Sequence, residues 1–290
     1  MIRHNFICGI FLSVALVFVA QVAAQDDPAW SKPFPPFRIA GNLYYVGSED
    51  LASYLVVTPQ GNILINSNLE ANVPQLQKNV EHLGFRFNDT KILLISHAHR
   101  DHCSGSALVK KLTGAQYFVM DADVPVVESG GKADFQYGAR PDMQFPPVHV
   151  DHELHDEETV QLGETVLMAH LTAGHTKGTT TWTMDLKDGN KIYHVVIVGG
   201  QDVNPDYKLV GNSTYSLIAD DFAQGFEALK SFPCDIFLGA HGSYFDLETK
   251  YARMKKGDKD AFIDPIGYKN YIDEREKAFQ TELAKQSASK

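Results

Sequence analysis

The amino-acid sequence predicts an α/β protein in which sheets pack face to face and helices cover the outside. Each half of the chain runs through several strand-like segments, one amphipathic helix and a further strand, as expected where helices and sheets share a core. No Pro/Ser/Gly-rich linker separates the halves, so we expect residues 25–290 to form a single domain. The composition agrees, because 44% hydrophobic and 21% charged residues are ordinary globular proportions.

Residues 1–24 have the pattern of a secretory signal peptide. Arg3 precedes an apolar run, Phe6–Ala20, and the small residues Val22–Ala24 follow it. The run is about 15 residues long, whereas a membrane span needs roughly 20. We therefore expect cleavage after this segment and export to the periplasm, rather than a membrane anchor.

The charge balance of the chain limits its partners. It carries 26 basic and 36 acidic side chains, a formal net charge of −10. Because such a surface repels phosphate backbones, we expect no nucleic-acid partner. No later apolar run approaches the length of a membrane span, so we expect no membrane contact after cleavage. We also expect the protein to be a monomer.

The first half predicts an antiparallel meander, then helices alternating with strands. The apolar residues of segment 73–83 recur at helical spacing. Segment 91–96 (KILLIS) is a continuous apolar run of strand length, which is typical of a strand buried on both faces. The other predicted elements are strands at 39–46, 53–57, 62–65 and 116–120 and a helix at 106–112.

The second half repeats this pattern. Its strand-like segments are rich in Val, Ile, Leu and Thr, and its first helix buries apolar side chains along one face. The predicted strands are 159–162, 165–171, 179–184, 192–198 and 234–238, and the predicted helices are 219–230 and a long one from 265 to 283.

A dense group of metal-binding side chains follows segment 91–96. His97 and His99 alternate in an extended stretch, so both imidazoles project to the same side and can bind one metal. Asp101 and His102 follow where the chain turns into the next helix and can reach a second metal nearby. Imidazole and carboxylate ligands favour zinc over Mg²⁺ or Ca²⁺. The density of these side chains argues against a polar loop with accidental histidines.

Further ligands must come from elsewhere, because catalytic zinc usually takes three protein ligands and keeps a position for water. His175 and His241 each follow a strand-like segment and stand beside glycine, which lets the backbone approach a crowded centre. Taken alone, either one is equally well structural; beside the first motif we predict both as ligands. We interpret the other histidines of the second half and of helix 73–83 as surface or structural: His82, His149, His152, His155, His170 and His194.

The motifs around these ligands resemble those of the metallo-β-lactamase superfamily, and more closely the third subclass of class B β-lactamases. The resemblance covers the chain after the signal peptide nearly end to end. It implies an αββα sandwich of two mixed sheets with two zinc ions at one edge. The segments that carry it are 96–102 (SHAHRDH), 174–175, 239–242, 37–47, 53–55, 124–131 and 233–239.

The resemblance also implies a ligand set and a reaction. One zinc takes His97, His99 and His175, and the other takes Asp101, His102 and His241. The implied reaction is hydrolysis of the β-lactam amide of penicillins, cephalosporins and carbapenems, which confers antibiotic resistance. A hydroxide that bridges the two zinc ions attacks without an acyl-enzyme, and Asp101 orients it.

Two other classes of protein remain to be weighed. Lactonases and thioesterases of this superfamily usually carry a bridging carboxylate, but the matching position here is Gly200, and we expect Asp202 to lie in a loop. That omission favours a β-lactamase. A non-catalytic zinc-binding protein would close each coordination sphere with a fourth protein ligand, and the sequence offers none.

Substrate contacts are predicted at two positions. The resemblance places Gln201 where the subclass has a hydroxyl residue that helps bind the substrate carboxylate, so its amide is the expected donor. The loop 133–146 offers an apolar wall over the site through Tyr137.

The two cysteines that remain after the predicted cleavage, Cys103 and Cys234, are expected to be free thiols. Cys234 begins the strand that leads to His241, and an extended segment of that length spans roughly 20 Å. Cys103 directly follows His102 at the other end. A disulfide tolerates a Cα separation of only about 4.4–6.8 Å.

Overall fold

Two sheets, one of seven strands and one of five, lie at the centre of residues 26–289, the part of the chain that the computed structural model describes. The predicted signal peptide, residues 1–24, lies outside the described residues. Both sheets contain parallel and antiparallel pairs, so the predicted α/β sandwich of two mixed sheets is confirmed.

The seven strands of the first sheet lie in sequence order across it. They are β1 (Phe37–Ala40), β2 (Leu43–Tyr45), β3 (Tyr54–Thr58), β4 (Gly61–Ile65), β5 (Thr90–Leu94), β6 (Gln116–Met120) and β7 (His152–Leu154). Strands β1–β4 form the predicted antiparallel meander, and β4–β7 pair in parallel.

The second sheet has the strand order β12-β11-β10-β9-β8. Its strands are β8 (Thr159–Leu162), β9 (Thr165–Leu171), β10 (Thr180–Asp188), β11 (Lys191–Val198) and β12 (Ile236–Gly239). The strands pair antiparallel from β8 to β11, whereas β11 and β12 run parallel. The parallel pair brings the ends of β11 and β12 to the same edge.

Eight α-helices occur in the described residues: α1 (Pro28–Ser31), α2 (Val73–His82), α3 (Arg100–Cys103), α4 (Ser106–Thr113), α5 (Val124–Glu128), α6 (Ile218–Ser231), α7 (Leu247–Lys255) and α8 (Pro265–Ala288). The sequence predicted α2, α4, α6 and α8. Helices α3 and α5 were not predicted, because a helix of a single turn shows no periodicity in the sequence. Helix α7 escaped because it buries little, and β7 because it is a short strand in a polar stretch.

Two predicted strands are wrong in their extent. The strand predicted at 179–184 continues to Asp188 in β10. Segment 39–46 is not continuous, because Gly41 adopts a φ of +49° and turns the chain between β1 and β2. A side chain at Gly41 would also collide with the carbonyl oxygen of Lys187 in β10. Both the left-handed backbone and this close approach require glycine.

The helices cover the outer faces of the sheets, as an αββα sandwich requires. Leu76 and Val80 of α2 pack with Leu64 and Leu93 of the first sheet in one apolar cluster. On the other side Phe222 of α6 stacks on the long helix α8. The inner faces meet in a second, larger cluster that contains strands of both sheets.

A hydrogen bond joins the two sheets below the site. The Trp182 indole of β10 is fully buried and donates to the Ile95 carbonyl, just after β5, at 3.1 Å. This contact fixes the ends of β5 and β10 relative to each other. Within residues 26–289 no helix is both long and apolar enough to cross a membrane. Cys103 and Cys234 are free thiols, as predicted.

Candidate metal centre

The predicted ligands lie on loops at one edge of the sandwich. His97 and His99 follow β5, and His99 precedes the first residue of α3, which carries Asp101 and His102. The extended backbone of His99 (φ −89°, ψ 153°) keeps the alternation that the sequence predicted. The ring centroids of His97 and His99 lie 4.8 Å apart, so both rings face one centre.

The remaining two histidines come from the second sheet. His175 lies in the loop between β9 and β10, and His241 follows β12, where a bridge with Leu51 ties it to the first sheet. A Cβ at Gly174 would lie 2.5 Å from the Phe222 ring, and its φ is +128°. Glycine is therefore required next to His175, because helix α6 packs directly against this loop.

Three imidazoles form the first cluster. His99 Nδ1 lies 3.1 Å from His175 Nε2, and ligand atoms of His97, His99 and His175 all lie within 4.8 Å of one another. Zn–N bonds of 2.0–2.1 Å in a tetrahedron place ligand atoms about 3.3 Å apart. His97 Nε2 is buried and has no hydrogen-bond partner among the described residues. A buried imidazole nitrogen that receives no hydrogen bond has its lone pair free to coordinate a metal. The first cluster therefore fits zinc.

Asp101, His102 and His241 form the second cluster. His102 Nε2 lies 3.1 Å from His241 Nε2 and 3.0 Å from Asp101 Oδ2. The third side of this triangle, between His241 Nε2 and Asp101 Oδ2, is 3.5 Å. These distances match three corners of a zinc tetrahedron. The centroids of His97 and His102 are 4.4 Å apart, so the two clusters adjoin.

Backbone carbonyls orient two rings of the first cluster. His97 Nδ1 is 2.9 Å from the Gly199 carbonyl, and His175 Nδ1 is 2.7 Å from the Asp202 carbonyl. In each ring Nδ1 must therefore be the protonated nitrogen, which leaves the Nε2 lone pair for the cluster. His99 is reversed: its Nδ1 faces the cluster, and its Nε2 lies 3.5 Å from the Tyr207 hydroxyl.

The electrostatics of the clusters differ. Burial lowers the pKa of His97, His99 and His175, so these imidazoles are neutral and offer lone pairs. Burial acts in the same direction on His241, but hydrogen bonds with Asp101 and Asp50 outweigh it and raise the pKa of His241 to about 10. The two carboxylates therefore favour a positive charge at the second cluster.

A buried carboxylate links the two loops that carry the first cluster. Asp123 Oδ2 accepts hydrogen bonds from the Ala98 N–H and the Thr176 hydroxyl, each at 2.8 Å, and Oδ1 accepts from the Gly178 N–H at 2.9 Å. Burial raises the pKa of Asp123 to about 6 against the effect of these donors. Because Ala98 stands between two ligands and Thr176 follows a third, Asp123 sets the spacing of the cluster.

Comparison with known proteins agrees with this geometry. Residues 51–188 match the family model described as the metallo-beta-lactamase superfamily. The chain is 59% identical to the native FEZ-1 metallo-β-lactamase from Legionella gormanii, covering 89% of this chain and 98% of that one, with a TM-score of 0.88. It belongs to the metallo-β-lactamases.

Two further relatives are named as subclass B3 enzymes. The di-zinc enzyme LRA-12 from an Alaskan soil metagenome is 38% identical over 89% of this chain and 98% of its own, with a TM-score of 0.85. BJP-1 of Bradyrhizobium japonicum is 36% identical over 90% of this chain and 98% of its own, with a TM-score of 0.84. The expected subclass is therefore confirmed.

Gly200, which the sequence analysis matched to the bridging carboxylate of other superfamily hydrolases, offers no side chain to the centre. A Cβ at Gly200 would lie 3.2 Å from the His175 ring and 3.4 Å from the His97 ring, so Gly200 borders the first cluster. The Asp202 carboxylate turns away and accepts from Arg275 of α8 at 2.5 Å. Asp202 therefore contributes its carbonyl to His175 and no carboxylate to the centre.

The Gln201 side chain does not line the site. It is fully buried, and its amide donates to the Thr172 carbonyl at 2.8 Å while packing towards Gly225 of α6. This placement argues against the predicted contact of Gln201 with substrate. Strand β11 ends at Val198, and Gly200, which directly precedes Gln201, adopts a φ of +154° and has no side chain on the cluster side.

Tyr137 lies where the sequence predicted an apolar wall. Its ring centroid is 5.3 Å from that of His99, and its hydroxyl accepts from Asn204 at 3.0 Å. Trp30, from α1, lies on the opposite side, 6.1 Å from the His241 ring. The two aromatic rings flank the two clusters.

Three residues that support the predicted ligands were not found by sequence analysis: Asp50 and Tyr207 contact ligand histidines, and Asp123 holds the loops beside them. Asp50, Asp123 and Tyr207 are far from the histidine motifs in the chain, and none stands in a recognisable spacing. The Tyr207 hydroxyl donates to the His175 carbonyl at 2.8 Å. Only the packing of the loops brings these side chains to the centre.

Proposed function

We propose that this metallo-β-lactamase hydrolyses the amide bond of β-lactam antibiotics and uses two zinc ions per chain. The observation that carries the proposal is the pair of adjoining three-ligand clusters at the sandwich edge, the second defined by the distances between Asp101, His102 and His241. Each cluster leaves coordination positions for water or substrate, as catalytic zinc sites do. Membership of subclass B3 supports the same reaction.

The ligand assignment follows the clusters. His97, His99 and His175 would hold one zinc ion, and Asp101, His102 and His241 the other. When bound, the zinc ions supply Lewis acidity and lower the pKa of a coordinated water towards neutrality. The protein then needs no side-chain nucleophile, so we expect no acyl-enzyme.

We assign Asp101 a second role as the acceptor that orients the attacking water. Its carboxylate is 13% exposed, so it is accessible from the edge where substrate must enter. Burial raises the pKa of Asp101, but the adjacent histidines His102 and His241 outweigh this effect and hold it well below its ordinary value. The carboxylate therefore stays ionised and can accept a hydrogen bond from the attacking water.

We propose that Tyr137 binds substrate through its ring. The ring stands beside His99 and is fixed by the Asn204 amide, so it presents a rigid wall at the first cluster. Trp30 offers a second wall beside His241. A bicyclic antibiotic core lying between them would place its amide over both clusters.

A lactonase or thioesterase is the alternative within the superfamily, and the surroundings of Gly200 argue against it. Those hydrolases usually carry a bridging carboxylate, whereas here Gly200 borders the rings, and the carboxylate two residues further on, Asp202, is held by Arg275. We also propose that residues 1–24 are removed on export and that residues 25–290 act as a monomeric single domain in the periplasm.

Hydrolysis of a penicillin, a cephalosporin such as nitrocefin and a carbapenem, measured before and after exhaustive chelation, tests the function. We expect turnover that chelation abolishes and added zinc restores, and mass spectra without an acylated protein. A lactone and a thioester serve as comparison substrates. Turnover that survives chelation, or a preference for the lactone or thioester, would contradict the proposal.

A further inference from the structure

The outer nitrogens of the ligand histidines have different partners in the two clusters. In the first cluster, His97 and His175 are oriented by neutral backbone carbonyls at 2.9 and 2.7 Å. In the second, His241 Nδ1 lies 2.8 Å from the carboxylate oxygen Oδ2 of Asp50. The outer nitrogen of His99 also faces a carboxylate oxygen, Asp134 Oδ2, but at 3.7 Å. Of these contacts, the one between His241 and Asp50 puts a carboxylate at hydrogen-bond distance from the ring.

The position of Asp50 suits it to hold His241 from both sides. Its second carboxylate oxygen, Oδ1, accepts from the Ser243 N–H at 2.9 Å, and its own carbonyl accepts from the Gly242 N–H at 2.6 Å. Next to it, Leu51 forms a bridge with His241 itself. The Asp50 carboxylate thus contacts both the His241 ring and the backbone just after His241.

The other histidine of the second cluster has no such support. His102 Nδ1 is buried and has no hydrogen-bond partner among residues 26–289. Of the two imidazoles in the second cluster, His241 is therefore the one whose outer nitrogen a described side chain holds. The Asp50 side chain is 17% exposed, so water screens this contact only partly.

We propose that Asp50 is a positioning residue that sets the affinity of the second metal ion. The inference rests on the proposed function only in taking the clusters to bind zinc. A carboxylate on the outer nitrogen fixes the tautomer and makes the inner nitrogen more basic, and loss of such a partner costs about 10–100-fold in metal affinity. Asp50 also adds a negative charge to a cluster that already contains Asp101, whereas the first cluster has neutral ligands only.

The substitution Asp50→Asn tests this assignment without removing a ligand. Zinc titration of the metal-free protein against a chromophoric competing chelator should resolve two binding steps. We expect the second step to weaken about 10–100-fold and the first to stay unchanged. In the cobalt-substituted protein, the visible absorption bands of the second ion should shift. The first step also reports whether the variant has folded.

A matched control is available on the exposed face of the second sheet. Asp185 Oδ1 lies 2.7 Å from His194 Nδ1 in the same kind of pair, without a neighbouring ligand. Asp185→Asn should leave both zinc steps unchanged. Asp50→Glu, which keeps the charge, should recover part of the lost affinity if orientation and charge both act.

The outcomes separate this inference from the proposed function. If the wild type binds two zinc ions but hydrolyses no β-lactam, the proposed reaction fails and the role of Asp50 can still be measured. If Asp50→Asn binds the second ion as the wild type does, the inference is overturned. Should that variant fail to fold, the zinc-loaded wild type decides: we expect a slowly exchanging His241 Nδ1 proton in ¹⁵N-labelled protein, and rapid exchange would contradict the proposal.

Discussion

The two metal clusters adjoin, yet different forces hold their ligands. The first is built from three neutral imidazoles, all buried. Backbone carbonyls orient His97 and His175, and Asp123 links the loops that carry the cluster. The second contains Asp101, and its His241 is held by the Asp50 carboxylate and remains 14% exposed. Backbone carbonyls survive any side-chain substitution at their own position, whereas a carboxylate does not. The orientation of His97 and His175 is therefore set by the backbone, whereas that of His241 is set by the charged side chain of Asp50.

The largest expected effect comes from removing a ligand of the first cluster. His175→Ala should lower kcat/KM by at least about 10⁴-fold, because losing the metal-generated nucleophile exceeds the roughly 10²–10⁴-fold effect of a single general base. Steady-state β-lactam hydrolysis measures it, with His194→Ala as the surface control. A variant with near-normal turnover would show that this cluster is not the reacting centre.

The buried carboxylate of Asp123, which links the loops of the first cluster, should make the free energy of unfolding depend on pH. The pKa of Asp123 is raised to about 6 in the folded protein, so folding takes up a proton. The resulting stabilisation is complete below about pH 4 and lost as the pH rises through 6. Between pH 4 and 7 it should fall by roughly 2 kcal/mol relative to Asp123→Asn. Urea unfolding of both metal-free proteins at several pH values measures the difference, and parallel curves would refute this reading.

At neutral pH, Asp123→Asn should weaken the first zinc site while sparing the second. An amide cannot accept from Ala98, Thr176 and Gly178 together, so the two loops lose a shared anchor. By analogy with other outer partners, we expect about 10-fold or more loss in affinity. The same zinc titration used for Asp50→Asn gives the comparison. If each substitution weakens both steps equally, the clusters are not held independently.

The smallest effect is expected at Gln201. The hydrogen bond from its side-chain amide to the Thr172 carbonyl is buried, so Gln201→Ala should lower the free energy of unfolding by about 1 kcal/mol. The KM values for β-lactams should change little, because the side chain points towards α6. Denaturant unfolding and a KM series measure the two effects. A clear rise in KM at unchanged stability would restore the substrate contact that the sequence suggested.

By itself, the sequence determined most of the elements and pointed to all six side chains that the structure brings together in the two clusters. Strand β6 and the strands from 159 to 171 have the predicted bounds, because apolar runs bounded by Gly and Pro are local signals. The alternation of His97 and His99 is equally local. Single-turn helices such as α3 were missed, since a periodicity needs more than one turn to appear.

Only the tertiary structure decided which groups support the ligands. His97 meets the carbonyl of Gly199, and His241 meets Asp50, across 102 and 191 positions of the chain. Gln201 looks like a site residue in the sequence, but its side chain turns to Thr172 and α6. Such contacts depend on the packing of two sheets and on loop paths that no short-range pattern encodes. The identity of the ligands is therefore a local property of the sequence, whereas their orientation and charge environment arise from contacts between distant segments.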